Sequence, residues 1–257
     1  MTRVHPLLTI VIPAYNAQRF IDRSIKSVLN STFTDYEFIL IDDGSQDRTL
    51  SIMKEYEQND DRIVVLTHEN KGVSYCRNLG IENAKGKYLC FIDADDEIET
   101  GALEEKIAWM ENEQLDWMYH NYRTIDDSSG KETDDSGIFF FYSQRKTLTS
   151  QDKNEFLNIC FNGKWGRGLM SNVLGMYRTQ VIQSNHLYID ETLAYGEDLL
   201  FNYDMLHYVK RFGYDPHPYY IVHQIDDSLQ DQALKGANND TVFSSLDILA
   251  KRRIIYK

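Results

Sequence analysis

Along the first 120 residues, short apolar runs alternate with amphipathic stretches, and a polar cluster closes most of the runs. Leu7 to Ile12 is continuously apolar and stops at Pro13, the pattern of a strand buried on both faces. Ile21, Ile25, Val28 and Leu29 then share one stripe of a helix. Phe38 to Ile41 repeats the strand signal and ends in Asp42-Asp43-Gly44-Ser45, after which Leu50, Met53 and Tyr56 mark a second helix. Ile63 to Leu66 predicts a third strand. Asn70-Lys71-Gly72 leads into a helix with Val73, Cys76 and Leu79 facing inward, closed near Gly86. Tyr88 to Ile92 predicts a fourth strand, Leu103, Ile107 and Met110 the next helix, and Trp117 to Tyr122 another strand. This alternation predicts an α/β fold: one domain with a mostly parallel central sheet and helices on both faces. Its polar clusters fall just after strands, where open sheets of this kind take ligands.

Beyond residue 125 the rhythm loosens. Asp126 to Gly137 is acidic and rich in serine and glycine, which predicts an exposed loop leading into a hairpin around Ile138 to Tyr142. A helix from Asp152 to about Phe161, a polar glycine-rich loop, and a strand from Val173 to Tyr177 follow. A helix from Asp198 to Val209 and strands near Phe212 to Val222 complete a small late antiparallel part.

Charge narrows the function classes. With 27 Lys and Arg against 40 Asp and Glu, the formal net charge of -13 disfavours a general nucleic-acid surface, which needs a basic stripe. The three cysteines have the spacing of neither a metal knuckle nor a disulfide framework; Cys76 and Cys90 read as small buried hydrophobes, and a reducing cytosol is the expected home. No apolar run reaches transmembrane length, although Lys251-Arg252-Arg253 could touch an anionic membrane.

The chemistry concentrates at the strand ends. Asp93-Ala94-Asp95-Asp96 sets three carboxylates within four residues, a cluster that repels itself unless a cation sits among the charges. Hard oxygen ligands suit magnesium or manganese carrying a substrate's phosphates, while Asp96 could instead cap the helix that follows. Asp42 and Asp43 could accept hydrogen bonds from a nucleobase imide or a ribose hydroxyl, or simply form a capping turn at Gly44. Arg77 could meet base, ribose or phosphate, or pair with a helix neighbour, and Lys71 could neutralise phosphate or stay solvated. Glu197-Asp198 opens a helix, where carboxylates are favoured; one facing the reaction centre would suit a general base. His223 could be a metal or diphosphate ligand or a hydrogen-bonding filler. Lys164, Trp165 and Arg167 could stack on and bind a sugar, or pin their loop.

Five segments in order carry a resemblance: Val11-Ile12-Pro13-Ala14-Tyr15-Asn16, Ile41-Asp42-Asp43-Gly44-Ser45, Asn70-Lys71-Gly72-Val73-Ser74 with Arg77-Asn78, Phe91-Ile92-Asp93-Ala94-Asp95-Asp96, and Gly196-Glu197-Asp198. Together they resemble the inverting, nucleotide-sugar-dependent glycosyltransferases of family 2, with the Rossmann-like GT-A fold, over about the first 210 residues. The resemblance implies a GT-A domain over 1–225, with a nucleotide-binding half (1–100) and an acceptor-binding half (101–225), followed by a helical tail (226–257). It implies that Pro13, Ala14 and Tyr15 line the nucleotide pocket and that Asp42 contacts the base, usually uracil. Asp43, Lys71 and Arg77 would lie nearby, and Asp93 and Ala94 would meet ribose or sugar. Asp95, with His223, would ligate Mn²⁺ or Mg²⁺; Asp198 would be the catalytic base, and Glu197, Lys164, Trp165 and Arg167 would face the acceptor.

The implied reaction moves a hexosyl residue from a UDP-sugar (glucose, galactose or N-acetylhexosamine) to a hydroxyl of a glycan, lipid-linked or protein-linked sugar, by a metal-assisted single displacement. The expected setting is the cytoplasm or the inner face of the plasma membrane, in bacterial cell-surface polysaccharide biosynthesis. Peripheral membrane contact and self-association are further expected partners; nucleic acid is not. Two other readings compete. A nucleotidyltransferase would need a glycine-rich basic loop after the first strand, where Pro13-Ala14-Tyr15-Asn16 stands; a catalytically silent sugar- or nucleotide-binding partner protein would have lost the acids.

Overall fold

The computed structural model describes residues 5–133, 142–162, 171–193 and 196–224. Its elements run β1 (Leu8–Ala14), α1 (Ile21–Leu29), β2 (Tyr36–Asp42), α2 (Thr49–Asn59), β3 (Ile63–Thr67), α3 (Val73–Asn83), β4 (Tyr88–Phe91), β5 (Glu97–Ile98), α4 (Ala102–Asn112), β6 (Trp117–Asp126), β7 (Lys146–Thr149), α5 (Lys153–Asn162), β8 (Gly175–Arg178), α6 (Thr179–Ser184), α7 (Glu197–Tyr208) and β9 (Arg211–Gln224). The strands join one sheet in the order β3-β2-β1-β4-β8-β6-β9-β5, with β7 also paired to β9. Strands β3, β2, β1 and β4 are mutually parallel, and so are β6 and β9; β8, β5 and β7 run antiparallel to their neighbours.

Every residue of β1 is buried, and because successive side chains point to opposite faces, both faces of the sheet are covered there. The strand runs on through Pro13 instead of stopping before it. Val11 offers its carbonyl to Ile92 on the β4 side, whereas Ala14 accepts from Asp43 on the β2 side. Alternation therefore turns Pro13 toward β4, whose pairing with β1 ends at Phe91. Its missing N–H costs no ladder bond.

Three other expectations change. Val73 is exposed; α3 buries Ser74, Cys76, Arg77, Asn78, Gly80 and Ile81, so a polar face points inward toward the strand ends. The late strands merge into one long β9, in which Pro216 to Tyr219 bulge out opposite Asn121. Strand β7 and helix α6 carry too little periodicity to be predicted. The expected hairpin falls largely, and the C-terminal tail wholly, outside the described residues.

Trp117 anchors the second half, stacking on Tyr177 of β8 at 6.2 Å and 10° and on Phe212 of β9 at 6.2 Å, with Phe156 of α5 edge-on. The segment leading to α7 is held differently. Asn78 donates to Ile189 O and to Glu191 Oε1 and accepts from Ile189 N, each at 2.8 Å. A single buried amide thus satisfies both backbone groups of Ile189. Asn78→Ala leaves that buried N–H and C=O unpaired and is expected to cost about 2–4 kcal/mol, read as a lowered denaturant midpoint at unchanged slope.

Candidate active site

The ends of β1 and β2 are sewn together by a ladder of side-chain bonds. Asn16 N donates to Ser45 Oγ (3.0 Å), Ala17 N to Thr49 Oγ1 (2.7 Å), and Asn16 Oδ1 accepts from Gln46 N (2.8 Å). Tyr15 projects from this ladder, 47% exposed, while Pro13 and Ala14 are buried beneath it. Gly44 turns the chain at φ +72°, and a Cβ there would lie 2.8 Å from Asn70 N, so only glycine fits both the conformation and the approach of the β3–α3 loop.

Asp42 and Asp43 are both buried and both engaged by the protein. Asp42 accepts from Ser45 N (3.3 Å) and Thr67 Oγ1 (3.0 Å); Asp43 accepts from Lys71 N (2.7 Å) and Gly72 N (2.9 Å). Together they fix the loops after β2 and β3. Lys71 lays its ammonium over the Tyr75 ring at 4.3 Å.

Arg77 is buried on α3. Its two terminal nitrogens reach two acids from distant parts of the chain: Nη2 donates to Asp93 Oδ1 at 2.8 Å, and Nη1 to Asp198 Oδ1 at 3.2 Å. Asp198 also accepts from the Asn172 backbone N–H at 3.2 Å. Gly196, left-handed at φ +79°, caps α7 and places Glu197 and Asp198 in its first turn. The acids after β4 and at the start of α7 therefore share one cation. Burial raises Asp198 to about 7, against the lowering effect of Arg77, and burial also raises Glu197.

The Asp93–Asp96 turn is tied down on all sides. Asp93 N donates to Tyr220 Oη (2.9 Å), Ser24 Oγ donates to Asp93 O (3.0 Å), and Arg23 Nη2 donates to Asp95 O (2.8 Å). Asp96 does not cap α4, whose cap is Gly101; its buried carboxylate accepts from His223 N at 2.9 Å, binding the turn to β9. Burial followed by the charge of Asp93 raises Asp95 to about 6, and burial followed by the charge of Asp95 raises Asp96 well above the carboxylate range. Acids this crowded, with Arg77 on Asp93 and Arg23 near Asp95, fit a site for a divalent metal held by hard oxygens. The His223 ring sits between Glu97 (Nε2 to Oε1, 2.7 Å) and Asp127 (Nδ1 to Oδ1, 3.2 Å), with Arg23 paired to both acids.

The structure thus gathers Arg77, Asp93, Asp198 and the Asp95 turn, and sets Asp42, Asp43 and Lys71 on the adjoining loops. Lys164, Trp165 and Arg167 lie outside the described residues. Arg23, Glu97, Asp127 and Asn172 were missed: Arg23 lies on the polar side of an amphipathic helix, and Asp127 in a segment that reads as a solvated loop.

The sequence profile of Glycosyl transferase family 2 matches residues 9–175. The chain belongs to this family. EpsH of Bacillus subtilis (strain 168), a glycosyltransferase by name, is 31% identical over 217 residues, 84% of this chain and 60% of its own length. An Escherichia coli relative named UDP-Glc:alpha-D-GlcNAc-diphosphoundecaprenol beta-1,3-glucosyltransferase WfgD is 38% identical over 124 residues, 48% of either chain. Among solved structures, S. aureus TarS 1-349 in complex with UDP-GlcNAc superposes with a TM-score of 0.71 at 21% identity, over 90% of this chain and 61% of that one. It shows the GT-A fold. This family 2 chain spans about half to three fifths of the length of these relatives. Among the described residues no helix is long and apolar enough to cross a membrane.

The raised value of Asp198 has a definite sign. Its folded value lies above the ordinary 3.8, so it favours the folded state fully below about pH 4 and loses that contribution as pH rises toward 7. Carboxyl ¹³C NMR, with Asp198→Asn for assignment, is expected to show a titration centred near pH 7; a midpoint near 4 contradicts this electrostatic account.

Proposed function

We propose that this family 2 glycosyltransferase transfers a hexosyl residue from a UDP-sugar to a hydroxyl of a glycan or glycoconjugate, with inversion at the anomeric carbon. The observation that carries the reading is Arg77 joining Asp93 to Asp198: it brings the acid turn suited to a phosphate-bound cation beside a buried carboxylate. Pro13, Ala14 and exposed Tyr15 line the base pocket beside Asp42 and Asp43, in the nucleotide-binding half 1–100. The acceptor side, 101–225, draws on Glu197, Lys164, Trp165 and Arg167.

Asp95 would hold Mn²⁺ or Mg²⁺, with His223, now between Glu97 and Asp127, as a further ligand. A bound cation supplies charge stabilisation on the departing diphosphate. Asp93 orients the sugar or ribose. Asp198, ionised above about pH 7, takes the proton of the attacking hydroxyl as the new bond forms. Arg77 keeps that carboxylate aimed and supports its charge. The Asn172 side-chain amide is buried beside Asp198 without a hydrogen-bond partner among the described residues.

The names and ligands of the similar proteins support the donor class without fixing the sugar: TarS is seen with UDP-GlcNAc and WfgD is named for UDP-Glc. WfgD's name and that of a Bacillus subtilis teichuronic acid glycosyltransferase favour a bacterial cell-surface polymer as the setting, with a lipid-linked acceptor. A screen of nucleotide sugars with and without Mn²⁺ tests the reading. Asp95→Ala is expected to abolish the metal-dependent part of donor turnover. Asp198→Asn should keep donor affinity within about threefold while lowering transfer by roughly 10²–10⁴; equal transfer by this variant overturns its role as base.

A further inference from the structure

Below the end of β3, three side chains of metal-ligand type meet on the wall formed by β2 and α3. Asp43, His68 and Cys76 each bring a ligand atom within 4.8 Å of the others, and they are the group of this kind among the described residues. His68 Nε2 stands 3.6 Å from Cys76 Sγ. A tetrahedral zinc ion with bonds of about 2.3 Å to sulfur and about 2.0 Å to nitrogen separates those two atoms by about 3.5 Å. The pair is already spaced as an edge of such a polyhedron.

The surrounding groups support the same chemistry. His68 Nδ1 lies 2.7 Å from Glu69 O and 3.4 Å from Asp43 Oδ1, so the ring carries its proton there and turns the Nε2 lone pair toward Cys76. Tyr75 meets the ring edge-on at 4.8 Å and fixes its plane. The Asp43 carboxylate is held by the Lys71 and Gly72 N–H groups, as carboxylates that bind metals usually are. Burial and the adjacent Asp43 charge keep the Cys76 thiol protonated in the metal-free protein.

We propose that Asp43, His68 and Cys76 form a site for a thiophilic divalent ion of the zinc type, separate from the cation at Asp95, with water in the fourth position. Binding replaces the Cys76 thiol proton, which leaves to solvent, and transfers no electrons. The ion would join the end of β2, the β3–α3 loop and α3 at one point.

Cobalt(II) titration of the purified chain, followed by zinc competition, tests this. The expected result is one equivalent of cobalt giving a thiolate-to-metal charge-transfer band that zinc abolishes. Cys76→Ser and Cys76→Ala should both lose the band and weaken zinc binding by at least roughly 100-fold, with an unchanged far-UV circular dichroism spectrum. Asp95→Ala should keep the band. Absence of the band in the wild-type chain, or its persistence in both Cys76 variants, overturns the proposal, the latter by assigning the metal to another thiol.

Discussion

A buried guanidinium needs acceptors, and the site is organised by the two acids that Arg77 finds for its terminal nitrogens, its Nε–H having no partner among the described residues. Moving a charge of this size out of water costs several kcal/mol after relaxation, and opposite charges with good geometry offset it. The chain supplies two, Asp93 after β4 and Asp198 at the start of α7, separated by 105 positions but by one side chain in space. The pairing is better understood as a specification of geometry than as a source of stability. Removing the whole charged group could cost little; removing one member strands the others. The guanidinium thereby holds the turn after β4 in register with the first turn of α7.

Much of the architecture follows from hydrophobic rhythm. Continuous apolar runs bounded by Asp, Asn, Gly and Pro produced β1 to β4, and the polar clusters at their ends became the walls of the site. The rhythm fails where burial is polar. The inward face of α3 carries Ser74, Arg77 and Asn78, so a rule that places Val73 inside misjudges the helix. It fails again in β9, whose two prolines suggest a break but sit in a bulge that the parallel partner β6 tolerates. The acids were legible as a cluster, but their partners were not. Nothing in a one-dimensional pattern ties Arg23 to Asp127, or Asn172 to Asp198.

The two proposed metal sites call for different chemistry. Around Asp95 the ligand atoms are oxygens, crowded and partly protonated, as suits a hard ion that arrives with a phosphate. At Cys76 the set is mixed sulfur, nitrogen and oxygen, with its outer hydrogen bonds already made. Cys76 alone reads as a core hydrophobe, and its position is that of one; only the fold sets His68 against it across a β–α loop.

If Arg77 and Asp198 hold each other in place as a coupled pair, a double-mutant cycle in unfolding free energy will register it. With Arg77→Met, Asp198→Asn and the combination measured under one set of conditions, a coupling energy above about 1.5 kcal/mol is expected. Additivity within about 0.5 kcal/mol would contradict the account, leaving the two side chains as neighbours without a shared role.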